Sequence, residues 1–269
     1  MHVLLIHQAF AGPDEPGGTR HWELACRALK NGHRFTVIAS DTSYLTGKAA
    51  ADGGDTGLAA LQVVRVRTIR ALHRSFAWRV AAFLGFMVSS TVRAIWTPKV
   101  DLVFGTSPPI FQAFSAWVAS AVKRVPFVLE IRDLWPEFAV GMGVLKHPAL
   151  IRLARWLESF LYARADLLVV NSPAYRDYLR ARGLPEGKIR FVPNGVDAGM
   201  FEPSARGEAL RRAWGCDGKV VALYAGALGP ANDIPTLLRA AELLKGEAAV
   251  AIVLVGDGKD RPKLEELAR

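Results

Sequence analysis

Glu130, Arg132 and Asp133 lie within four residues of one another, at the end of an almost unbroken apolar run over 125–131 and just ahead of Trp135 and Pro136. Two carboxylates and a guanidinium in so short a span can orient a polar substrate, stabilise developing negative charge or move a proton. Residues two apart on a strand share a face, which pairs Glu130 with Arg132, while Asp133 begins the turn. The same spacing also suits a structural ion pair closing a strand, with Asp133 capping a short helix. Pro136 reads as a helix-ending residue.

A second candidate is the pair Gly17 and Gly18, between the first apolar run and a helix expected over 19–31, which Gly32 stops. Backbone N–H groups at a helix N-terminus can meet an anion closely, and the helix dipole favours phosphate. The pair is not a G-x-G-x-x-G fingerprint, so a flexible turn is the competing reading. Three histidines are further candidates. His7 ends the first strand, where it is either structural or near a cleft, His21 lies in the first helix, and His33 follows Gly32 as a solvated cation. Cys26 and Cys216 are far apart and form neither a metal-ligand spacing nor a disulfide framework, so no metal site is expected and a reducing cytoplasm is the simpler setting.

The elements that must position these groups alternate. Strands are expected at 3–6, 35–39, 61–67, 101–104, 125–131, 167–170 and 189–192, separated by helices near 19–31, 77–94, 110–123 and 149–163, with Ser172 capping a short helix that Pro173 opens. That order implies a mostly parallel α/β sheet with ligands collecting at the carboxyl ends of its strands. The chain is divided into an N-terminal domain at 1–200 and a partial C-terminal domain at 201–269. The second holds two strands, each leading into a glycine-containing loop, one at Gly226 and one at Gly256 and Gly258.

The 269 residues are 51% hydrophobic and 22% charged, enough for a sizeable core. The net charge of +9 is uneven: residues 56–100 contain no Asp or Glu, yet Arg74, Arg79 and Arg93 are among the cations there. The apolar stretch between Arg79 and Arg93 is shorter than the roughly 20 residues of a membrane span. It suits a helix lying on a membrane surface with its arginines on lipid phosphates, or a core helix with a solvated basic end. Nucleic acid is a weaker partner, because basic residues are not interleaved with stacking aromatics over several elements.

Six motifs in this order resemble the family 4 glycosyltransferases of the GT-B fold. They are Gly17-Gly18, Gly105-Thr-Ser-Pro-Pro109, Leu129-Glu-Ile-Arg-Asp-Leu-Trp-Pro136, Pro193-Asn-Gly-Val-Asp197, Tyr224-Ala-Gly226 and Leu254-Val-Gly-Asp-Gly258. The resemblance is greatest to bacterial enzymes that build O-antigen, capsule or exopolysaccharide, including those that transfer N-acetyl-L-fucosamine. It implies two Rossmann-like domains, a nucleotide-diphosphate sugar donor (a UDP-sugar), retention of anomeric configuration, and no metal or cofactor. Gly17, Gly18, Asn194, Gly226, Gly256 and Gly258 would then bind the donor. Arg132 and Asp133 fall where many relatives carry a histidine near the transferred sugar; Trp135 is expected to pack, with sugar stacking as the alternative.

The resemblance has two gaps. Relatives place an Arg and a Lys where this chain has Ala225-Gly-Ala-Leu-Gly-Pro-Ala231, leaving Arg239, Lys259 and Arg261 as the nearest cations in sequence. The family's two glutamates, separated by seven intervening residues, would fall beyond Arg269, and the adjacent Glu265 and Glu266 cannot replace them. The second domain is therefore expected to be incomplete and the chain inactive as it stands. The leading expectation is a retaining glycosyltransferase at the cytoplasmic face of the cell membrane, acting on a lipid-linked saccharide. The alternative is a non-catalytic membrane-peripheral module that binds a nucleotide or a partner, and a sugar-nucleotide epimerase is a third reading.

Overall fold

The computed structural model describes every residue except 14, 16, 44–48, 51–57, 70–75, 197, 198, 200, 203, 259 and 269. The chain divides into two compact units, Met1–Asp197 and Ala198–Arg269.

In the first unit the chain runs β1 (His2–Ile6), α1 (Arg20–Lys30), β2 (Arg34–Ser40), β3 (Leu61–Val66), α2 (Phe76–Ile95), β4 (Leu102–Ser107), α3 (Ile110–Lys123), β5 (Phe127–Ile131), α4 (Glu137–Gly141), α5 (Pro148–Arg164), β6 (Leu167–Val170), α6 (Pro173–Ala181) and β7 (Ile189–Phe191). The seven strands form one sheet in the order β3-β2-β1-β4-β5-β6-β7, with every described pairing parallel. The alternation of side chains along β1 sorts the helices into two layers. Val3 and Leu5 join Phe35, Val37 and Ala25 in a core covered by α1. Leu4 and Ile6 join Phe86 of α2, Ala113 and Ala116 of α3, Leu161 of α5 and Leu179 of α6 on the opposite face. From β1 the chain leaves by α1 toward β2, and from β4 by α3 toward β5, so a crevice opens between the carboxyl ends of β1 and β4.

Local chemistry explains the boundaries. Gly32 takes φ +75 and its N–H bonds to Leu29 O, while His33 N–H reaches Ala28 O, the left-handed stop expected at the end of α1. Gly105 on β4 has no room for a side chain, since a Cβ would sit 2.7 Å from that of Ala116, so the glycine lets α3 press against the sheet. Three expectations are corrected. Pro136 opens α4 instead of ending a helix, because a proline N lacks the hydrogen a helix interior needs. Asp133 does not cap that helix, whose N-cap position is Pro136 itself. Ser172 occupies the N-cap position of α6 with extended backbone, but its side chain makes no capping bond.

The second unit contains α7 (Glu208–Ala213), β8 (Val220–Ala225), α8 (Ile234–Leu243), β9 (Val250–Val255) and α9 (Arg261–Leu267). Its two strands pair in parallel, and its core is small: Leu228, Ile234 and Leu264, with Tyr224, Leu237, Leu238 and Leu254 against them. Leu223 and Val255 remain exposed on the strands.

Candidate active site

The carboxylate of Glu130 is fully buried near the carboxyl end of β5. Arg20 Nε donates to its Oε1 at 2.8 Å, His21 Nε2 lies 2.6 Å from Oε2, and Thr106 Oγ1 donates to Oε2 at 3.0 Å. Arg20 and His21 are the first two residues of α1, and Thr106 comes from β4, so three neighbouring elements converge on one acid. Burial opposes its ionised form, but the bonds from His21 and Arg20 outweigh burial and bring the Glu130 pKa down to about 2. Burial in turn holds His21 below its ordinary value, more strongly than Glu130 raises it. His21 is therefore a neutral donor, and the compensating charge is the Arg20 guanidinium. Arg20 is fully committed: its other nitrogens donate to Pro193 O at 2.7 Å and Val192 O at 2.9 Å.

Arg132, at the exit of β5, is aimed by the same network. Its Nε donates to Thr106 Oγ1 at 3.0 Å and its Nη2 to Pro108 O at 3.0 Å, with His7 Nε2 a further 3.4 Å from Nη2. Thr106 thus accepts from Arg132 while donating to Glu130, and Arg132 Nε stands 3.9 Å from the carboxylate. The Arg132 side chain remains 28% exposed. It lines a cleft of about 150 Å³ together with His7, Gln8, Gly17, Gly18 and Ser43. Burial lowers the His7 pKa well below the ordinary value, and the neighbouring His21 and Arg132 lower it further, so His7 is neutral.

The two glycines of this cleft differ. Gly17 has φ +153, and a Cβ there would meet that of Ala11 at 2.8 Å, so the turn needs a glycine. A Cβ on Gly18 would meet nothing within 4 Å, which leaves the space beside it open. The loop between them and β1 is fastened by Glu15, which accepts from Gly12 N at 2.9 Å and pairs with Arg65 at 2.8 Å.

The sequence candidates separate accordingly. Arg132 and Gly17–Gly18 share one cleft at the crevice between β1 and β4. Glu130 lies beneath it without solvent access, so a role that touches substrate is corrected to one exerted through Arg20, His21 and Thr106. Asp133 is half-buried and outside the cleft lining; burial raises its pKa, against Arg132 and the Tyr175 hydroxyl 3.5 Å away. Asn194 is exposed, next to the carbonyls that Arg20 holds. His33 directly precedes β2, at the opposite edge of the sheet. Trp135 packs edge-on against Phe111. Sequence reasoning passed over Arg20, Gln8, Thr106 and Gln112 and argued nothing for His21. The available signal was position, because the first residues of a helix after a β–α loop face the carboxyl edge of the sheet.

In the second unit, the loops after β8 and β9 are laced together. Gly226 N–H donates to Val255 O and Leu228 N–H to Asp257 O, both at 2.9 Å. A Cβ on Gly256 would fall 1.8 Å from Gly226 O, and one on Gly258 2.3 Å from Leu228 O. These glycines are required by backbone packing, whatever else they meet. Arg261 pairs with Glu265 at 2.8 Å, Arg239 donates to Thr236 at 2.7 Å, and Lys259 is outside the described residues.

On α2 the expected membrane-facing side chains Arg79 and Arg93 are half-buried, and Arg74 is outside the described residues. The exposed face of that helix is apolar instead: Leu84, Val88 and Val92, each four residues on, with Trp96 following just past its end. Among the described residues no helix is long and apolar enough to cross a membrane.

The family described as glycosyl transferase 4-like domain matches residues 17–195. A GDP-mannose-dependent alpha-mannosyltransferase of Mycobacterium tuberculosis is 31% identical over 88% of this chain and 57% of its own length. Its namesake in Mycolicibacterium smegmatis is 30% identical over 98% of this chain and 65% of its own. The crystal structure of Anabaena HepE in complex with UDP-glucose superposes with a TM-score of 0.65 at 19% identity, over 99% of this chain and 64% of that one, a likeness of fold. The chain thus spans about three fifths of the length of these proteins.

Proposed function

Because the chain belongs to the glycosyl transferase 4-like family, we propose that it serves a retaining, metal-independent transfer of a sugar from a nucleotide-diphosphate donor to a lipid-linked or glycan acceptor in bacterial surface polysaccharide synthesis. The observation that carries this reading is the meeting of the Arg132 guanidinium with the Gly17–Gly18 turn in one cleft. A leaving diphosphate needs cations and N–H donors fixed in advance, and such donors are typically worth about 10²–10³ in rate. Arg132 is held in place by Thr106 and Pro108 and keeps part of its guanidinium free. The first turn of α1 adds the positive end of an eleven-residue helix.

The sequence expectation of a UDP-sugar is joined here by a GDP-sugar, since two relatives are named for GDP-mannose and the solved neighbour holds UDP-glucose. Asp133 is kept as a group that orients sugar or acceptor, beside Arg132 but reached from outside the cleft lining. In the second unit, Gly226, Gly256 and Gly258 would present their loops to the donor, and Asn194 would do so from the first.

The acceptor is read from α2. An exposed apolar stripe four residues in pitch, with an apolar groove against α3 lined by Met87, Val88, Val92, Phe114 and Val118, suits acyl chains. Arg79 and Arg93 on the same helix suit lipid phosphates. This supports a site at the inner face of the cell membrane, where a lipid-linked saccharide would be met.

The deciding experiment is a calorimetric screen of UDP- and GDP-sugars for binding to wild type and to Arg132→Ala. Binding of one donor, weakened about tenfold or more in the variant, supports the reading. No nucleotide or nucleotide-sugar binding at the cleft would leave a partner-binding module as the better account.

A further inference from the structure

His7 and Gln8 follow β1 directly, both line the cleft, and each is only 2% exposed. Yet His7 Nδ1 and both Nε2 and Oε1 of Gln8 have no hydrogen-bond partner. A buried polar group without a partner is destabilising, so three such atoms on two consecutive residues call for an explanation. Their backbone is not loose: Gln112, fully buried on α3, accepts from Gln8 N–H at 2.6 Å and is itself tied to Thr106 O and Pro108 O. The site is therefore built and unspent.

Hydrogen-bond chemistry narrows what would satisfy it. A guanidinium only donates, so the contact from Arg132 Nη2 leaves His7 Nε2 as the acceptor and places the proton on Nδ1. The ring of His21 lies 4.3 Å away and, with its own proton on Nε2, has an acceptor at Nδ1, yet no bond joins the two: both Nδ1 atoms are unpartnered. His7 then presents one donor, and Gln8 presents donors and an acceptor. A phosphate would meet the donors and leave Gln8 Oε1 bare. A hydroxyl meets both kinds, and two neighbouring hydroxyls on one ring meet all three atoms.

We propose that His7 and Gln8 form a subsite that reads two adjacent hydroxyls of a sugar ring, beside the anion-binding Arg132. This rests on the sugar-transfer reading and names which side chains select the sugar. The ring belongs either to the donor or to the acceptor; the chemistry is the same, and the test separates them.

Gln8→Met and His7→Phe remove the hydrogen-bonding atoms while keeping much of the bulk. Binding is measured calorimetrically with UDP-glucose and GDP-mannose, with bare UDP and GDP, and with methyl α-mannopyranoside in the presence of either nucleotide. Melting temperature is recorded for each variant. If the ring is the donor's, Gln8→Met weakens the sugar nucleotide about tenfold or more and leaves bare nucleotide within twofold. If it is the acceptor's, the glycoside arm falls and the donor arm holds. In either case the melting temperature of Gln8→Met stays level or rises, because no protein bond is lost. Equal losses with bare nucleotide would make this a phosphate site and overturn the proposal. So would unchanged binding in every arm, or a fall in melting temperature without a change in binding. Intact nucleotide-sugar binding with no effect of either variant sinks the subsite alone, whereas wild type that binds neither nucleotide nor sugar takes the transfer reading down with it.

Discussion

Arg20 and Glu130, 110 positions apart in sequence, form a 2.8 Å ion pair in which one guanidinium also holds the carbonyls of Val192 and Pro193. One side chain thereby ties the start of α1 to the end of β5 and to the segment leaving β7. Glu130 is wholly buried and His21 is neutral, so Arg20 supplies the charge that makes the acid tolerable there.

Arg20→Ala is therefore expected to cost about 3–5 kcal/mol, the usual penalty for leaving a buried charge unpaired. Arg20→Lys should recover only part of this, because one ammonium cannot serve a carboxylate and two carbonyls in a fixed fork. Urea titrations of the two variants check the order; equal stability of wild type and Arg20→Ala would show that the pair contributes nothing.

Acid should weaken the fold in two stages. His7 and His21 have folded pKa values below their ordinary 6.5, so the unfolded chain binds their protons first and stability begins to fall as pH drops through 6.5. Glu130 has a folded pKa of about 2 against an ordinary 4.5, so its contribution is full above 4.5 and lost as pH falls toward 2. That gap corresponds to about 3 kcal/mol. Denaturant midpoints from pH 8 to 2 trace both limbs, and Glu130→Gln should flatten the lower one.

Gly17 and Gly18 should respond in opposite ways to a side chain. Gly17→Ala meets Ala11 and an unfavourable φ, so it is expected to lower the melting temperature. Gly18→Val meets open space, so the fold should survive while the cleft is filled and nucleotide binding is lost. Normal binding by a well-folded Gly18→Val protein would place the ligand elsewhere.

Arg132 and Asp133, adjacent in sequence, should differ in effect. Arg132 lines the cleft and Asp133 does not, so Arg132→Ala should weaken nucleotide binding about tenfold or more and Asp133→Asn by less. A loss for Asp133→Asn below about threefold would demote that carboxylate to a structural role.

Val92→Ser on α2 and Trp96→Ser just past its end should weaken binding to phosphatidylglycerol vesicles while leaving the melting temperature within a few degrees, since both side chains are more than half exposed. Retained binding in both would remove the apolar stripe from the membrane reading.

Alternating apolar runs and glycine stops were enough to place the seven strands of the first unit and its helices other than α4, because a parallel sheet covered on both faces needs continuous apolar strands. The motif order was likewise enough to point to the glycosyltransferase family. Which of the charged groups near residue 130 opens to a ligand was not legible. A period of two puts Glu130 and Arg132 on one side of a strand without saying which ends beneath a neighbouring helix.

The linear chain thus determined the layers and the family, through local periodicity and motif order. Only tertiary structure decided that Glu130 is sealed under Arg20 and His21 while Arg132 reaches the cleft. It alone left His7 Nδ1 and the side-chain amide of Gln8 buried without partners. These outcomes depend on contacts between residues about a hundred positions apart, and desolvation, which fixes the charge of each group, exists only once those segments have met.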